Sequence, residues 1–271
     1  MLINSYRFAV VSSYDTDAQA YITAVETADG ASLETATRDA INAYVQALKA
    51  GNVWTSAAQL LLPCGPRTLA GALVPLKGAD PANVGFSSGD YNRKTGLTGS
   101  GTKYLNSNVL QDSLLIATHA LAWYGSITES TGDHVLIGSF NGIAENTVLI
   151  LDSWTSYVTG RAFRSGKFSP GQFPVSTSTA NADCVIGSRT AINNATLYVN
   201  GTASTNTTFV SSVFEARNLL WFALNSAGSA TTFSASRLAF GGIYSAGLNA
   251  TQAAALRSAT ATYVAAINAA F

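Results

Sequence analysis

The feature of this sequence that most constrains its fold is a succession of short, β-like runs between about residue 60 and residue 245. Clusters of Gly, Asn, Asp and Ser separate these runs, and this spacing is typical of an antiparallel β-sandwich. One run, Leu114 to Tyr124, alternates but is largely apolar on both faces. We therefore predict a mainly β fold in which this run is a central strand covered on both sides. One of its faces comprises Leu115, Ala117, His119, Leu121 and Trp123.

The clearest hairpin is predicted at Ala195 to Thr208. Its turn, Asn200-Gly201, is the pair that best tolerates the positive φ angles of a type I′ turn. Within another predicted strand, Gly241-Gly242 indicates a β-bulge. The remaining predicted strands are His134 to Ser139 and Thr147 to Asp152, which flank the turn Asn141-Gly142, together with Leu219 to Leu224 and Arg237 to Tyr244.

Two short helices are predicted before the strands. The first spans residues 15 to 30, with Asp15 or Thr16 as its cap and Gly30 at its end. The second follows a cap at Ser32 and ends at Gly51-Asn52. Both have an apolar stripe that needs a larger partner to cover it. The stripes comprise Ala18, Tyr21, Ile22 and Val25 in the first helix, and Ile41, Tyr44, Val45 and Leu48 in the second.

A third helix is predicted at the C-terminal end. Asn249 is its cap and Gln252 lies three residues later, which is the spacing of a capping box. Its stripe of Leu256, Tyr263, Val264 and Ile267 is expected to pack on the sandwich, although a partner-binding face is an alternative.

Charged residues are scarce and balanced. The 15 Lys and Arg equal the 15 Asp and Glu, and together they form 11% of the chain, against about 25% in an average soluble domain. Nucleic-acid binding needs clustered basic residues, so this composition argues against it. Ser, Thr, Asn and Gly give instead a polar, uncharged surface, which can pack against other subunits without desolvating ions.

The N-terminal stretch MLINSYRFAVVSSYDTD contains one basic residue and an apolar run too short for an export signal. No stretch approaches about 18 consecutive apolar residues. We therefore predict no signal peptide and no membrane interaction. Cys64 and Cys184 can form one disulfide, but two buried thiols are the favoured interpretation because a large core rarely needs a disulfide.

Four segments, in order, resemble one known family. They are DTDAQAYITAVETADG with AINAYVQALKAGNVW within 15–54, AGALVPLKG with GFSSGDYNRKTGLTGSGTKYLNSN within 70–108, VIGSRTAINNATLYVNGT at 185–202, and SRLAFGGIYSAGLNATQAAAL at 236–256. Together they resemble the concanavalin A-like lectin/glucanase superfamily, in the laminin-G-like form that recurs in bacteriophage tail and virion proteins. The resemblance extends over nearly the whole chain.

The resemblance implies a concanavalin A-like antiparallel β-sandwich (jelly roll) with an N-terminal helical hairpin and a C-terminal helix. It divides the chain into an N-terminal arm (1–14), a helical lead (15–59) and a sandwich that ends in a helix (60–271). Because this fold includes lectins, hydrolases and structural modules, it does not choose among functions.

Candidate catalytic residues are few. Glycoside hydrolysis uses two carboxylates that flank the bond, and the Glu-x-Asp-x-x-Glu strand of the related glucanases is absent from this sequence. Asp90 and Asp152 are interpreted as turn or strand-end residues. His119 is interpreted as a core or interface histidine and His134 as a strand-entry residue. We therefore expect a protein that is not an enzyme.

No cofactor and no metal ion are predicted. His and Cys lack the spacing of a zinc site. The resemblance implies that loop Asp and Asn oxygens can bind calcium, as in laminin-G-like relatives, and whether a loop calcium is bound stays open.

A candidate binding surface is the long, irregular segment from Trp154 to Thr179. Its aromatic rings can stack on sugars or anchor a protein interface, and its arginines can bind carboxylates or phosphates. The alternative is that the rings fill the sandwich while the charges face water. The candidate residues are Trp154, Tyr157, Arg161, Phe163, Arg164, Lys167 and Phe168, with Phe173 as a further aromatic.

Three functional classes follow. The first is a structural protein on the surface of a bacteriophage virion (capsid decoration, head fibre or tail component), made in the host cytoplasm and held by other virion proteins and copies of itself. The second is a glycan-binding receptor protein of a tail or fibre tip, whose partner is a host surface glycan. The third is a polysaccharide hydrolase. The scarcity of charge favours the first class.

Overall fold

The computed structural model describes residues 14–127, 129, 132–140, 147–153, 160–166, 174–176, 182–208 and 214–271. The predicted turn Asn141-Gly142 and all but the last residue of the predicted arm lie outside this range. The helices are α1 (Thr16–Asp29), α2 (Thr35–Ala50), α3 (Leu69–Ala72) and α4 (Ala250–Ala269). The strands are β1 (Ala57–Leu61), β2 (Pro75–Lys77), β3 (Ala82–Val84), β4 (Tyr91–Asn92), β5 (Gly96–Thr98), β6 (Tyr104–Leu110), β7 (His119–Ile127), β8 (His134–Phe140), β9 (Thr147–Ser153), β10 (Arg161–Gly166), β11 (Val175–Ser176), β12 (Ala182–Ala191), β13 (Asn194–Val199), β14 (Thr202–Asn206), β15 (Asn218–Trp221), β16 (Leu224–Ser226), β17 (Ser229–Thr231), β18 (Arg237–Leu238) and β19 (Phe240–Tyr244).

Two large sheets contain most of these strands. The first has the order β14-β13-β12-β7-β19-β1-β2, and the second has the order β11-β10-β9-β8-β15-β6-β3, with β16 and β17 attached to β8. Neighbouring strands are antiparallel except for β16, which runs parallel to β8. Strands β18, β5 and β4 form a small third sheet. The prediction of a mainly β, antiparallel sandwich with N-terminal helices and a C-terminal helix is therefore confirmed.

The central strand β7 is covered on both sides, as its sequence predicts. Leu121 and Trp123 point into the apolar core between the two large sheets. Ala120 and Ala122 point to the opposite face, where α1, α2 and α4 cover the first sheet. The predicted strand begins too early, however, because the chain makes a tight turn at Leu115, whose carbonyl accepts a hydrogen bond from the Thr118 amide at 3.1 Å.

The helix ends follow local sequence signals. The Asp15 side chain caps α1 by accepting a hydrogen bond from the Asp17 amide, and Gly30 ends the helix with a left-handed φ of 65°. Asn249 and Gln252 form the predicted capping box of α4. The predicted cap of α2 at Ser32 is wrong: the N-cap is Glu34, whose side chain is engaged in ion pairs instead of capping the helix.

The predicted stripes of the helices are confirmed as buried surfaces, apart from the half-buried Val264. The strand predictions hold for β8, β9 and the β13–β14 hairpin, where Asn200 and Gly201 have φ angles of 50° and 89°. The prediction of one strand from Leu219 to Leu224 is wrong, because Phe222 adopts a φ of 66° and breaks it into β15 and β16.

The predicted bulge at Gly241-Gly242 is also wrong. Gly241 and Gly242 pair in unbroken register with Trp123 and Ala122 of β7. These glycines are needed for space instead: a Cβ at Gly241 would lie 2.7 Å from the ring of Trp221. The strand therefore lies close to the indole without changing its register.

The two cysteines are free and buried, as predicted. Burial raises the pKa of each thiol to about 12, so neither is a thiolate near neutral pH. The predicted domain boundaries stay a prediction. Strand β1, however, begins at Ala57, inside the proposed helical lead, and is hydrogen-bonded between β19 and β2.

Candidate functional site

The predicted binding segment contains a buried strand. Trp154, Tyr157, Lys167, Phe168 and Phe173 lie outside the described residues. Strand β10 interrupts the segment and pairs with β9 on one side and with β11 on the other. The description of the segment as irregular is therefore wrong for Arg161–Gly166.

The side chains of β10 belong to the interior. Phe163 is fully buried, and Arg161 and Arg164 are only 1% and 5% exposed. Phe163 packs directly over Gly187 of β12, where an added Cβ would lie 2.1 Å from its ring. Arg161 donates a hydrogen bond to the Ile127 carbonyl at 3.4 Å. These three residues are consequently not exposed to a ligand in solution, which corrects their predicted place on a surface loop.

His119 is a satisfied core histidine, as predicted. Its Nδ1 is 2.9 Å from the Leu115 carbonyl oxygen and its Nε2 is 2.8 Å from the Ser165 hydroxyl. Arg189 donates to the carbonyl and hydroxyl of the same serine. Burial lowers the pKa of His119 to about 4, so the imidazole is neutral at pH 7.

The other candidates noted in the sequence have structural surroundings. Asp90 completes a capping box with Ser87 and pairs with Lys103. His134 begins β8, as predicted, and lies 3.1 Å from Glu129, which also accepts hydrogen bonds from Ser234 and the Ala235 amide. These contacts join the loop at Glu129 to the chain before β18. Asp152 lies in β9, as its interpretation as a strand-end residue predicts.

A different region forms a cleft that can hold a ligand. A cavity of about 490 Å³ opens between the C-terminal half of α4 and the first sheet. Cavities of about 300 to 1,000 Å³ are typical of small-molecule sites. Its lining combines an aromatic ring with charged and uncharged polar groups, namely Tyr124, Lys94, Thr95, Ser126, Asp183, Arg237 and Asn268, beside Gly125, Ala239 and Val264.

A second cleft of about 150 Å³ adjoins it along α4 and includes Tyr198, Gly201 and Arg257. The two clefts are neighbours because Cys184, which lines the second, pairs in register with Tyr124, which lines the first. Arg257, Val264 and Asn268 are seven and four residues apart, and this spacing puts them on one face of the helix. We call the two clefts together the α4 groove.

Local folding explains how each side of the α4 groove is built. Tyr124 and Tyr198 lie on strands on either side of β12. The positive-φ turn at Asn200-Gly201 ends β13 beside Arg257, whose Nη1 is 3.7 Å from the position of a Cβ at Gly201. Arg237 is held by a hydrogen bond from its Nε to the Thr98 hydroxyl at 3.1 Å.

The charges of the α4 groove are unequal. Lys94, Arg237 and Arg257 contribute three cations, and Asp183 is the one carboxylate among its described lining residues. Burial raises the pKa of Tyr124, the Asp183 carboxylate raises it further, and the Arg257 guanidinium opposes them. The tyrosine is therefore a neutral hydrogen-bonding group near pH 7.

Sequence reasoning missed this groove. Its residues come from the β4–β5 turn, β7, β12, β13, β18 and α4, and none of these segments has an unusual composition alone. The predicted Asn200-Gly201 hairpin and the predicted C-terminal helix were the available signals, but nothing in either showed that they are adjacent.

Metal and membrane features are absent from the part of the chain that the structure describes. No group of three or more His, Cys, Asp or Glu side chains there is arranged to hold a metal ion. None of the described helices has the length and apolarity needed to cross a membrane.

Comparisons with known proteins find similarity to solved structures alone, at low sequence identity. No family model and no curated protein matches it. Among solved structures, domain 4 of the arabinanase AbnA from Geobacillus stearothermophilus, in complex with arabinotriose, is 13% identical and matches 66% of this chain and 82% of its own, with a TM-score of 0.42. The CBM40 of a Ruminococcus gnavus sialidase, bound to α2,3-sialyllactose, is 13% identical and matches 56% and 92%, with a TM-score of 0.37.

Whole sialidases match over only part of their length. The Streptococcus pneumoniae NanB sialidase is 14% identical, with 56% of this chain and 26% of that chain covered and a TM-score of 0.40. The chain thus spans about a quarter of this sialidase. At such values the likeness carries no argument about function, and the resemblance to bacteriophage proteins stays a prediction.

Proposed function

We propose that this protein is a non-enzymatic carbohydrate-binding β-sandwich and that the α4 groove is its ligand site. The observation that carries the proposal is the combination, in one cavity of about 490 Å³, of the Tyr124 ring with the uncharged polar groups of Thr95, Ser126 and Asn268. An aromatic ring supplies a flat apolar face for a sugar ring, and hydroxyl and amide groups exchange hydrogen bonds with its hydroxyls.

The single carboxylate among the described lining residues of the groove supports a binding role. Hydrolysis of a glycosidic bond uses a pair of carboxyl groups on opposite sides of the bond, about 5 to 9.5 Å apart. Asp183 is the one carboxylate among the described residues that line the groove. Its surroundings therefore suit recognition of a glycan that is released unchanged.

A glycan array tests the proposal. We expect bacterial surface oligosaccharides on the array to bind the purified protein. Tyr124→Ala and Asn268→Ala are each expected to weaken binding of such a glycan by about tenfold, the equivalent of about 1.4 kcal/mol. Tyr104→Ala is the matched control, because this tyrosine packs against Phe233 away from α4. Unfolding midpoints of the variants verify that they fold. Retention of no glycan, or full binding by both groove variants, would contradict the proposal.

A second candidate is a structural role on a virion, which the resemblance in the sequence implies. Strand β14 supports it, since it lies at the edge of the first sheet and carries the uncharged sequence TASTN. Edge strands have free backbone groups that can pair with another chain. Sedimentation of the purified protein tests this: a concentration-dependent oligomer that Ala203→Pro abolishes supports strand pairing between subunits, and a monomer at all concentrations argues against it.

A further inference from the structure

The arginines and lysines on the described surface fall into two groups. Most are in ion pairs, as Arg38 is with Glu26, Lys49 with Asp15, and Arg93 with Glu34. Arg67, Lys103 and Arg217 are paired in the same way. By contrast, Lys94, Arg237 and Arg257 form no ion pair with any described residue, and all three line the α4 groove. Lys77 also lies outside an ion pair, but its ammonium donates to the Trp54 carbonyl at 2.7 Å.

Arg257 differs from the other two in having a buried donor without a described partner. Its Nε is buried and has no hydrogen-bond partner among the described residues. An N–H group that is removed from water and left unbonded destabilises the molecule unless a ligand bonds to it. The guanidinium is also planar and presents paired N–H donors, which match the two oxygens of a carboxylate.

We infer that the α4 groove binds a glycan with a carboxylate-bearing sugar, and that Arg257 is the partner of that carboxylate. This inference rests on the proposed function and specifies its ligand class. Lys94 and Arg237 add positive charge to the lining of the groove, while Tyr124 and Tyr198 contribute aromatic rings from the strands of the first sheet. A neutral glycan would leave these cations without a counter-charge, whereas an acidic sugar neutralises the excess over Asp183.

Paired acidic and neutral ligands test the inference. Trigalacturonate and its methyl ester share one backbone, as do sialyllactose and lactose apart from the acidic sugar. We expect at least one acidic member to bind tenfold or more tightly than its neutral counterpart in isothermal titration at low salt. Arg257→Gln is expected to remove this preference. Arg217→Gln, at the residue that immediately precedes β15, is expected to leave it unchanged.

Asp183→Asn is expected to raise the affinity for the acidic ligand, which a purely structural role of Asp183 would not do. The substitution keeps the shape of the side chain and removes the one negative charge, and its backbone amide still donates to Asn200. We expect the acidic ligand to bind two- to threefold more tightly to this variant. Weaker binding would show that Asp183 holds sugar hydroxyls instead and would count against the inference.

The outcomes separate the inference from the proposed function. Equal affinity for acidic and neutral members overturns the inference, and the groove then remains a site for neutral glycans. If neither pair binds but the array retains a neutral glycan through Tyr124, the inference is again overturned and the proposed function stands. If the array retains nothing and neither pair binds, both are overturned.

Discussion

The two apolar clusters on either side of β7 are built from different kinds of residue. Between the sheets the cluster is filled by large rings, among them Trp123, Trp221 and Phe163. Between the first sheet and the helices, β7 contributes Ala120, Ala122 and the partly buried Tyr124, and the helices contribute tyrosines such as Tyr44 and Tyr263. The two alanines let the helices lie close to β7, and the hydroxyls of Tyr44 and Tyr263 bond to Thr260 and to the Cys64 carbonyl. The inter-sheet core thus depends mainly on packed rings, and the helical layer also contains hydrogen-bonded tyrosine hydroxyls.

The α4 groove lies along α4, on the face of the first sheet that the helices cover. Val264 of α4 is only half-buried there, and Tyr124 extends from the same face of β7 as the alanines. The three clefts that described residues line all lie on the helix-covered side of the first sheet or between its helices. The proposed ligand site therefore belongs to the helical layer.

The largest expected effect is in the inter-sheet core. Trp123 packs against Phe222 at 4.9 Å and Trp221 at 6.3 Å between ring centroids, and its indole donates to the Arg237 carbonyl. Trp123→Ala is expected to lower the free energy of unfolding by about 3 to 5 kcal/mol, because it leaves a cavity. Chemical denaturation measures the loss, and Trp123→Phe serves if the alanine variant does not fold. A loss of unfolding free energy smaller than that of a variant in the helical layer would contradict the difference between the two clusters.

The two faces are also expected to differ in acid. His119 contacts Phe163 and Phe214 on the inter-sheet side and has a folded pKa of about 4 against an ordinary value of 6.5. Between these values the unfolded chain binds a proton that the folded chain does not, so stability falls by about 3 kcal/mol as pH drops from 6.5 to 4.

On the helical side, the Arg93 guanidinium lowers the pKa of Glu34 to about 2, against the opposing effect of burial. The stability that the Glu34 carboxylate contributes is lost only as pH falls from 4.5 towards 2. Denaturation of the wild type and of His119→Gln from pH 7 to 3 separates the two: the variant is expected to lose the slope above pH 4.5. If stability depends on pH above 4.5 as steeply in the variant as in the wild type, groups other than His119 cause that dependence.

Two adjacent glycines sharpen the comparison on a single strand. A Cβ at Gly241 meets the Trp221 ring, which is fixed by a hydrogen bond to Gln59 at 3.0 Å. A Cβ at Gly242 meets the ring of Tyr244, whose hydroxyl has no hydrogen-bond partner among the described residues. We expect Gly241→Ala to destabilise by about 1 to 3 kcal/mol, the range for overpacking, and Gly242→Ala to cost less because its neighbour can shift. Equal losses would show that Tyr244 is held as firmly as Trp221.

The smallest effect tests the hydroxyls of the helical layer. The Tyr263 hydroxyl donates to the Cys64 carbonyl at 2.7 Å. Tyr263→Phe is expected to lower the unfolding free energy by about 1 kcal/mol. Tyr244→Phe is the matched control, because it removes a buried hydroxyl that bonds no described group, and it is expected to be neutral or stabilising. Thermal unfolding of both variants gives the difference, and a reversed order would remove directed bonding as the explanation.

Local signals in the sequence predicted much of the fold. The alternation through Leu121 and Trp123, the turn at Asn200-Gly201 and the capping box at Asn249 each depend on neighbouring residues, and each is confirmed. Arg161 and Arg164 were placed at the surface because arginine is ordinarily exposed. Both are buried, and Arg161 bonds there to the distant Ile127 carbonyl, a contact that the sequence does not show.

The groove was not predictable for the same reason. Tyr124 looks like one more ring of an apolar strand, and Arg257 looks like an ordinary surface residue of a helix. Only the packing of α4 against β12 and β13 brings them together. The conditions for binding arise from tertiary contacts between segments that are separately unremarkable in sequence.

Strand β19 has a consequence for how the protein is made. It lies in the interior of the first sheet, hydrogen-bonded to β1 on one side and β7 on the other, although it comes near the C-terminal end of the chain. During synthesis, β1 and β7 leave the ribosome before β19. The edge of each strand that pairs with β19 therefore stays unpaired until β19 has been made. Such non-local pairing slows folding and leaves unpaired strand edges that can associate with other chains. The first sheet can therefore close only after β19 has left the ribosome, long after β1 and β7 have done so.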